Sequence, residues 1–97
     1  MSTKVIGLMQ LLDLDSFEEY RGRVGQTVAL FQGKILSRGT VTKVFWNELG
    51  CETFNTIVEL EFPSQAKAQE WSSSPEYQNL IAVRSRAMKL TLFAAEI

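Results

Sequence analysis

The sequence predicts an α+β fold whose elements run βαββαβ, and three observations carry that prediction. Segments 3–12 and 88–97 are apolar at both strand parities. Segments 34–46 and 53–62 are rich in β-branched and aromatic residues and flank a turn-forming stretch, "NELGCE". Between the outer and inner strands lie two stretches with helical spacing and capping residues. Ninety-seven residues with 45% hydrophobic content fit one domain, 1–97, large enough for a core but thin in burial per residue.

In the first strand, "TKVIGLMQLL", Val5, Gly7, Met9 and Leu11 share one parity while Ile6, Leu8 and Leu12 share the other. Both faces of that strand therefore need cover. Asp13 or Asp15 caps the helix that follows, with Glu18 three residues past Asp15 completing a capping box. Phe17, Tyr20, Val24, Val28 and Phe31 form its apolar stripe, Gly22 and Gly25 weaken it locally, and Gly33 ends it as the residue past the cap.

A hairpin centred on Leu49 and Gly50 places Arg38 opposite Glu61 and Thr40 opposite Glu59, unless a bulge at Gly39 shifts the pairs. Pro63 stops the third strand. Ser64 caps a short helix through Trp71, and Ser74 with Pro75 starts a second one that carries Tyr77, Leu80, Ile81 and Arg84 on one face. The connection is thus a bent, two-part helix, and the whole follows the split βαβ, ferredoxin-like plan, an antiparallel four-stranded sheet with helices on one face.

Two helices cover only one side of such a sheet, which leaves an apolar patch too large for water. A second copy, sheet on sheet, is the expected cover, because a two-fold interface needs only one self-complementary patch. Phe45 and Trp46 near the hairpin tip are expected to pack against that partner. Ten basic against eleven acidic residues, without a basic run, argue against nucleic acid as a partner. No stretch approaches the about 20 apolar residues of a membrane span, and no signal pattern opens the chain, so a cytoplasmic location is expected. The lack of histidine removes the usual general base and haem ligand, and no glycine-rich phosphate loop is present, so no cofactor is expected.

"EFPSQAKAQEWSSSPEYQNLIAVRSRA" resembles the signature of the domain-of-unknown-function 1330 family through Glu61, Phe62, Pro63, Ser64, Ala68, Trp71, Ser74, Pro75, Glu76, Tyr77 and Arg84. "DLDSFEEY" is similar to that family's helix start and "GKILSRG" to its Gly-Gly-x-x-x-x-Arg-Gly strand. Leu14, Phe17 and Gln32 depart from the pattern, and Glu48 is the nearest acid where the family has Glu-Gly after the second strand. The resemblance implies the dimeric α+β barrel superfamily, whose two sheets pack face to face and whose members include small oxygenases, decomposing enzymes and stress proteins.

Six residues are candidates for a site rimming a cavity between helices and sheet: Arg38, Glu61, Tyr20, Trp71, Tyr77 and Arg84. Arg38 and Glu61 can hold and orient a carboxylate or carbonyl ligand, or simply form a ladder ion pair. Glu59 and Glu61 on one enclosed face can push one carboxyl toward neutrality, or stay solvated. Arg84 is expected to find an acidic partner, as an anion clamp or as a structural salt bridge. Trp71, Tyr77 and Tyr20 can line the pocket or pack the core. Cys51 reads as an unreactive surface thiol. The expected function is binding, with or without conversion, of a small, partly apolar organic molecule. A dimerising module without a ligand and a small oxygenase are the alternatives.

Overall fold

The chain begins its sheet with β1, Thr3–Leu11, whose residues alternate between buried and half-buried along its length. A computed structural model describes residues 2–97. After β1 come α1 (Leu14–Ala29), β2 (Lys34–Thr40), β3 (Thr56–Phe62), α2 (Gln65–Ser73), α3 (Pro75–Gln78), α4 (Ile81–Ala87) and β4 (Met88–Glu96). The four strands form one antiparallel sheet in the order β2-β3-β1-β4, which is the ferredoxin-like arrangement.

β1 sits between β3 and β4, and its odd-numbered residues face the helices. Val5 and Met9 are buried there with Leu60 and Phe62 of β3 and Met88 of β4. α1 lays Tyr20, Val24 and Val28 on this face, and the later helices add Trp71, Tyr77, Leu80 and Val83. Three of the rings meet in series, with centroids 5.4 Å apart for Phe62 and Trp71 and 4.4 Å for Trp71 and Tyr77. This is the apolar stripe and sheet face that the spacing predicts.

Local chemistry sets the helix ends. Asp13, not Asp15, caps α1, accepting from the Ser16 amide at 3.0 Å, so Glu18 closes no capping box. α1 stops at Ala29, and the left-handed residue beyond it is Gln32, at φ 60, rather than Gly33. Ser64 caps α2 through the Lys67 amide. Ser74 then works in both directions: its hydroxyl donates to the Trp71 carbonyl at 2.7 Å and accepts from the Tyr77 amide at 3.1 Å. A single side chain thus closes α2 and opens α3, with Pro75 in the first turn. The connection has three short helical pieces where the spacing predicts two.

The inner strands correct the expected hairpin. β2 ends at Thr40 and β3 begins at Thr56, so neither reaches the extent read from β-propensity. The chain does turn at the expected place, where Asn47 brackets Cys51 with two side-chain hydrogen bonds and Gly50 takes φ 75. Its two arms, 42–46 and 52–54, are unequal and unpaired, and the ladder slips again between Ile35 and Ser37. Arg38 therefore faces Val58, three positions short of Glu61, and Lys34 faces Glu61 instead. An odd shift turns a residue to the other side of the sheet, so the expected Arg38–Glu61 and Thr40–Glu59 pairs do not form.

The sheet's other face is not covered by any helix. Ile6 and Leu8 from β1, Ile57 from β3 and Phe93 from β4 lie there, Ile57 and Phe93 being 38% and 45% exposed. Phe45 and Trp46 stand well out in solvent on the 41–55 loop, at 76% and 82% exposure. Among the described residues, no helix is long and apolar enough to cross a membrane.

Candidate functional site

Between α1 and the sheet lies a cavity of about 40 Å³, roughly three times the space one buried water needs. Its walls are apolar: Phe17 and Val24 of α1, Ile35 of β2, Val58 and Leu60 of β3, and Leu90 and Leu92 of β4. Trp71 and Met9 complete them; Tyr20, Arg21 and Arg38 also line it, but very little polar surface faces the space. α1 places Phe17, Tyr20, Arg21 and Val24 together because residues three and four apart share a helix face. Arg38 reaches the cavity because the true register puts it on the same side as Val58.

Tyr20 connects this cavity to a buried polar chain. Its hydroxyl lies 2.9 Å from that of Tyr77, and the rings meet edge to face. Arg84 donates to the Tyr77 hydroxyl at 2.9 Å and lies 5.7 Å from the centre of its ring. Burial, and then the neighbouring Tyr77, push the Tyr20 hydroxyl well above the ordinary phenol range, while Arg84 and Arg38 pull weakly the other way. Tyr20 consequently keeps its proton, and its neutral hydroxyl can both donate and accept a hydrogen bond. Burial, and then the like charge of Arg21, lower the Arg38 guanidinium, which remains protonated in any case.

Four of the six expected residues come together: Tyr20 and Trp71 line the cavity, and Tyr77 and Arg84 stand behind Tyr20. Arg38 joins them at the mouth, by way of a register other than the expected one. Glu61 is not brought to them. It lies on the opposite face of the sheet, bonded to Lys4 and 3.6 Å from Lys34. The Lys4 hydrogen bond is the main reason its carboxyl sits below the ordinary range, so it is not a base poised near neutrality. Arg84 has no acidic partner among the described residues; the Tyr77 hydroxyl and ring take that place. Glu48 is exposed at the loop tip, and Cys51 is a half-buried free thiol.

Two positions escaped the sequence reading. Arg21 falls four residues after Phe17 and three before Val24, so the stripe itself could have pointed to it. Thr27 receives the Trp71 indole N–H at 3.0 Å and donates to the Val24 carbonyl. Nothing in its spacing distinguishes it from an ordinary helical threonine. A larger furrow of about 300 Å³ runs between the loop residues 51–54 and the uncovered face near Leu8, Gln10 and Lys89. It lies on the face that the helices leave bare, whereas the helix–sheet cavity lies on the opposite side of the sheet. Among the described residues, no cluster of side chains is able to hold a metal ion.

Residues 4–97 match the family described as Domain of unknown function (DUF1330), and the chain belongs to that family. No curated protein matches the sequence. A protein of unknown function from Rhodopseudomonas palustris, RPA0582, is 17% identical, with a TM-score of 0.79 over 99% of this chain and 82% of that one. A dimeric ferredoxin-like protein of unknown function from Thermobifida fusca is 12% identical, with a TM-score of 0.69 over 100% and 92% of the two chains. SnoaB, a cofactor-independent oxygenase from Streptomyces nogalater, is 8% identical, with a TM-score of 0.69 over 99% and 92%. At these identities the likeness is one of fold.

Proposed function

We propose that the protein is a homodimer in which each copy binds a small, partly apolar organic molecule in its helix–sheet cavity, without a bound cofactor. The observation that carries this reading is an apolar cavity served by one neutral hydroxyl, Tyr20, with Arg38 at its mouth. Small-molecule sites have this composition: apolar walls for affinity and a few fixed polar groups for orientation. Pairing through the uncovered sheet face leaves the cavity free, because the two lie on opposite sides of the sheet. The Thermobifida fusca neighbour is described as dimeric, which agrees with such pairing.

A thermal-shift screen of small phenols, quinones and organic acids tests the reading. A compound that stabilises the wild type and loses its effect in Arg38→Ala supports it. Absence of any stabilising compound favours the second reading, a dimerising module without a ligand, for which the exposed 41–55 loop and apolar outer face speak. The SnoaB description extends the first reading to oxidation of the bound molecule, and product analysis after aerobic incubation with each binder tests that extension.

A further inference from the structure

We infer that the molecule bound in the helix–sheet cavity is an organic oxyanion, a small aromatic or branched body carrying a carboxylate or an ionised enol or phenol oxygen. The inference rests on the binding reading above and adds the ligand's charge. The cavity's ionisable side chains are all donors: Tyr20, Arg21 and Arg38. Among the described residues no carboxylate lines it, and the chain contains no histidine. An acidic ligand therefore meets no side-chain base to ionise it, and it enters already charged.

The hydrogen-bond order behind Tyr20 points the same way. A guanidinium only donates, so the Tyr77 oxygen accepts from Arg84. If the Tyr77 proton goes on to Tyr20, all three groups have a partner and the Tyr20 proton is left for an acceptor outside the chain. Each donation polarises the next hydroxyl, so Tyr20 becomes a stronger donor than an isolated phenol. Three guanidinium groups, Arg21, Arg38 and Arg84, lie around the cavity or behind it. Glu18, the carboxylate that acts on Arg38, is exposed and sits 3.4 Å from Arg21. That imbalance, beside apolar walls that weaken solvent screening, favours a negative guest. At about 40 Å³ the space among Val24, Val58, Leu60 and Leu92 takes only an edge of the ligand's apolar body, and its oxygen stays at the mouth, within reach of Tyr20 and Arg38.

Isothermal titration of the full chain with matched pairs tests this: benzoate and salicylate against benzamide and salicylamide. The expected result is that the carboxylates bind the wild type at least about tenfold more tightly than the amides, the size of one charged hydrogen bond. Tyr20→Phe and Arg38→Gln are each expected to reduce that preference several-fold, and added salt is expected to weaken the carboxylates alone. Arg38 is exposed, so its variant decides the matter even if Tyr20→Phe does not fold. Amides that bind as tightly as carboxylates overturn the oxyanion while leaving the cavity reading in place. Binding by none of the four overturns both, and an undiminished preference in Arg38→Gln overturns the assignment of its charge.

Discussion

Gly33 has no room for a side chain, since a Cβ there would stand 2.5 Å from the Phe62 ring and 2.8 Å from Val28. Its neighbour Gln32 carries the left-handed turn instead, at φ 60, a conformation that costs an L-residue about 1–2 kcal/mol. The paired-glycine pattern thus divides into two separate demands, one for space and one for backbone freedom. Gln32→Gly is expected to raise unfolding stability in urea by about 0.5–1 kcal/mol, offset in part by glycine's unfolded-state entropy. Gly33→Ala is expected to lower it by about 1–3 kcal/mol through overpacking against Phe62. Glu61 supplies a pH prediction of definite sign. Its folded carboxyl lies below the ordinary value because of Lys4, so its stabilisation is present above the unfolded value of about 4.3 and is lost as pH falls through the folded value. Glu61→Gln should therefore flatten the acid limb of a stability–pH curve. Part of that limb remains, because Asp13, lowered chiefly by its Ser16 hydrogen bond, titrates with the same sign.

At the scale of elements, the serine-rich break is resolved by one hydroxyl shared between two helices. Ser74→Ala removes the α3 cap and a hydrogen bond to the Trp71 carbonyl at a buried position, and chemical denaturation is expected to show a loss of about 1–2 kcal/mol. Gly22, by contrast, faces open space on α1, and Gly22→Ala is expected to gain about 0.5–1 kcal/mol in the same assay. Caps and helical stripes were legible because their signals are local: Ser64, Ser74 and Pro75 stand where the helix ends need them. Strand register was not. It depended on a bulge near Leu36 and on unequal loop arms around Asn47, and neither leaves a mark in the alternation of residues. The same contrast divides the site. Tyr20, Trp71, Tyr77 and Arg84 stand together in the structure, each on a different helix, and helical spacing had signalled the inward face of each helix but not the meeting of the four. Glu61 was misplaced because a shift of odd length carried it to the far face.

For the whole molecule, a four-stranded sheet with helices on one side leaves Ile6, Leu8, Ile57 and Phe93 without cover, beside a loop that holds Phe45 and Trp46 in solvent. Lys4, Lys34 and Glu61 stand on the same face and give it a charged margin. A self-complementary patch with an apolar middle and paired charges at its border is suited to a two-fold contact. The proposed assembly thus assigns one side of the sheet to the partner and the other to the ligand. Sedimentation equilibrium at micromolar concentration tests that division most directly, with wild type run beside Phe93→Lys. The account predicts twice the 11.0 kDa chain mass for the wild type and dissociation in the variant. A wild type that sediments at the single-chain mass while fully folded would contradict it.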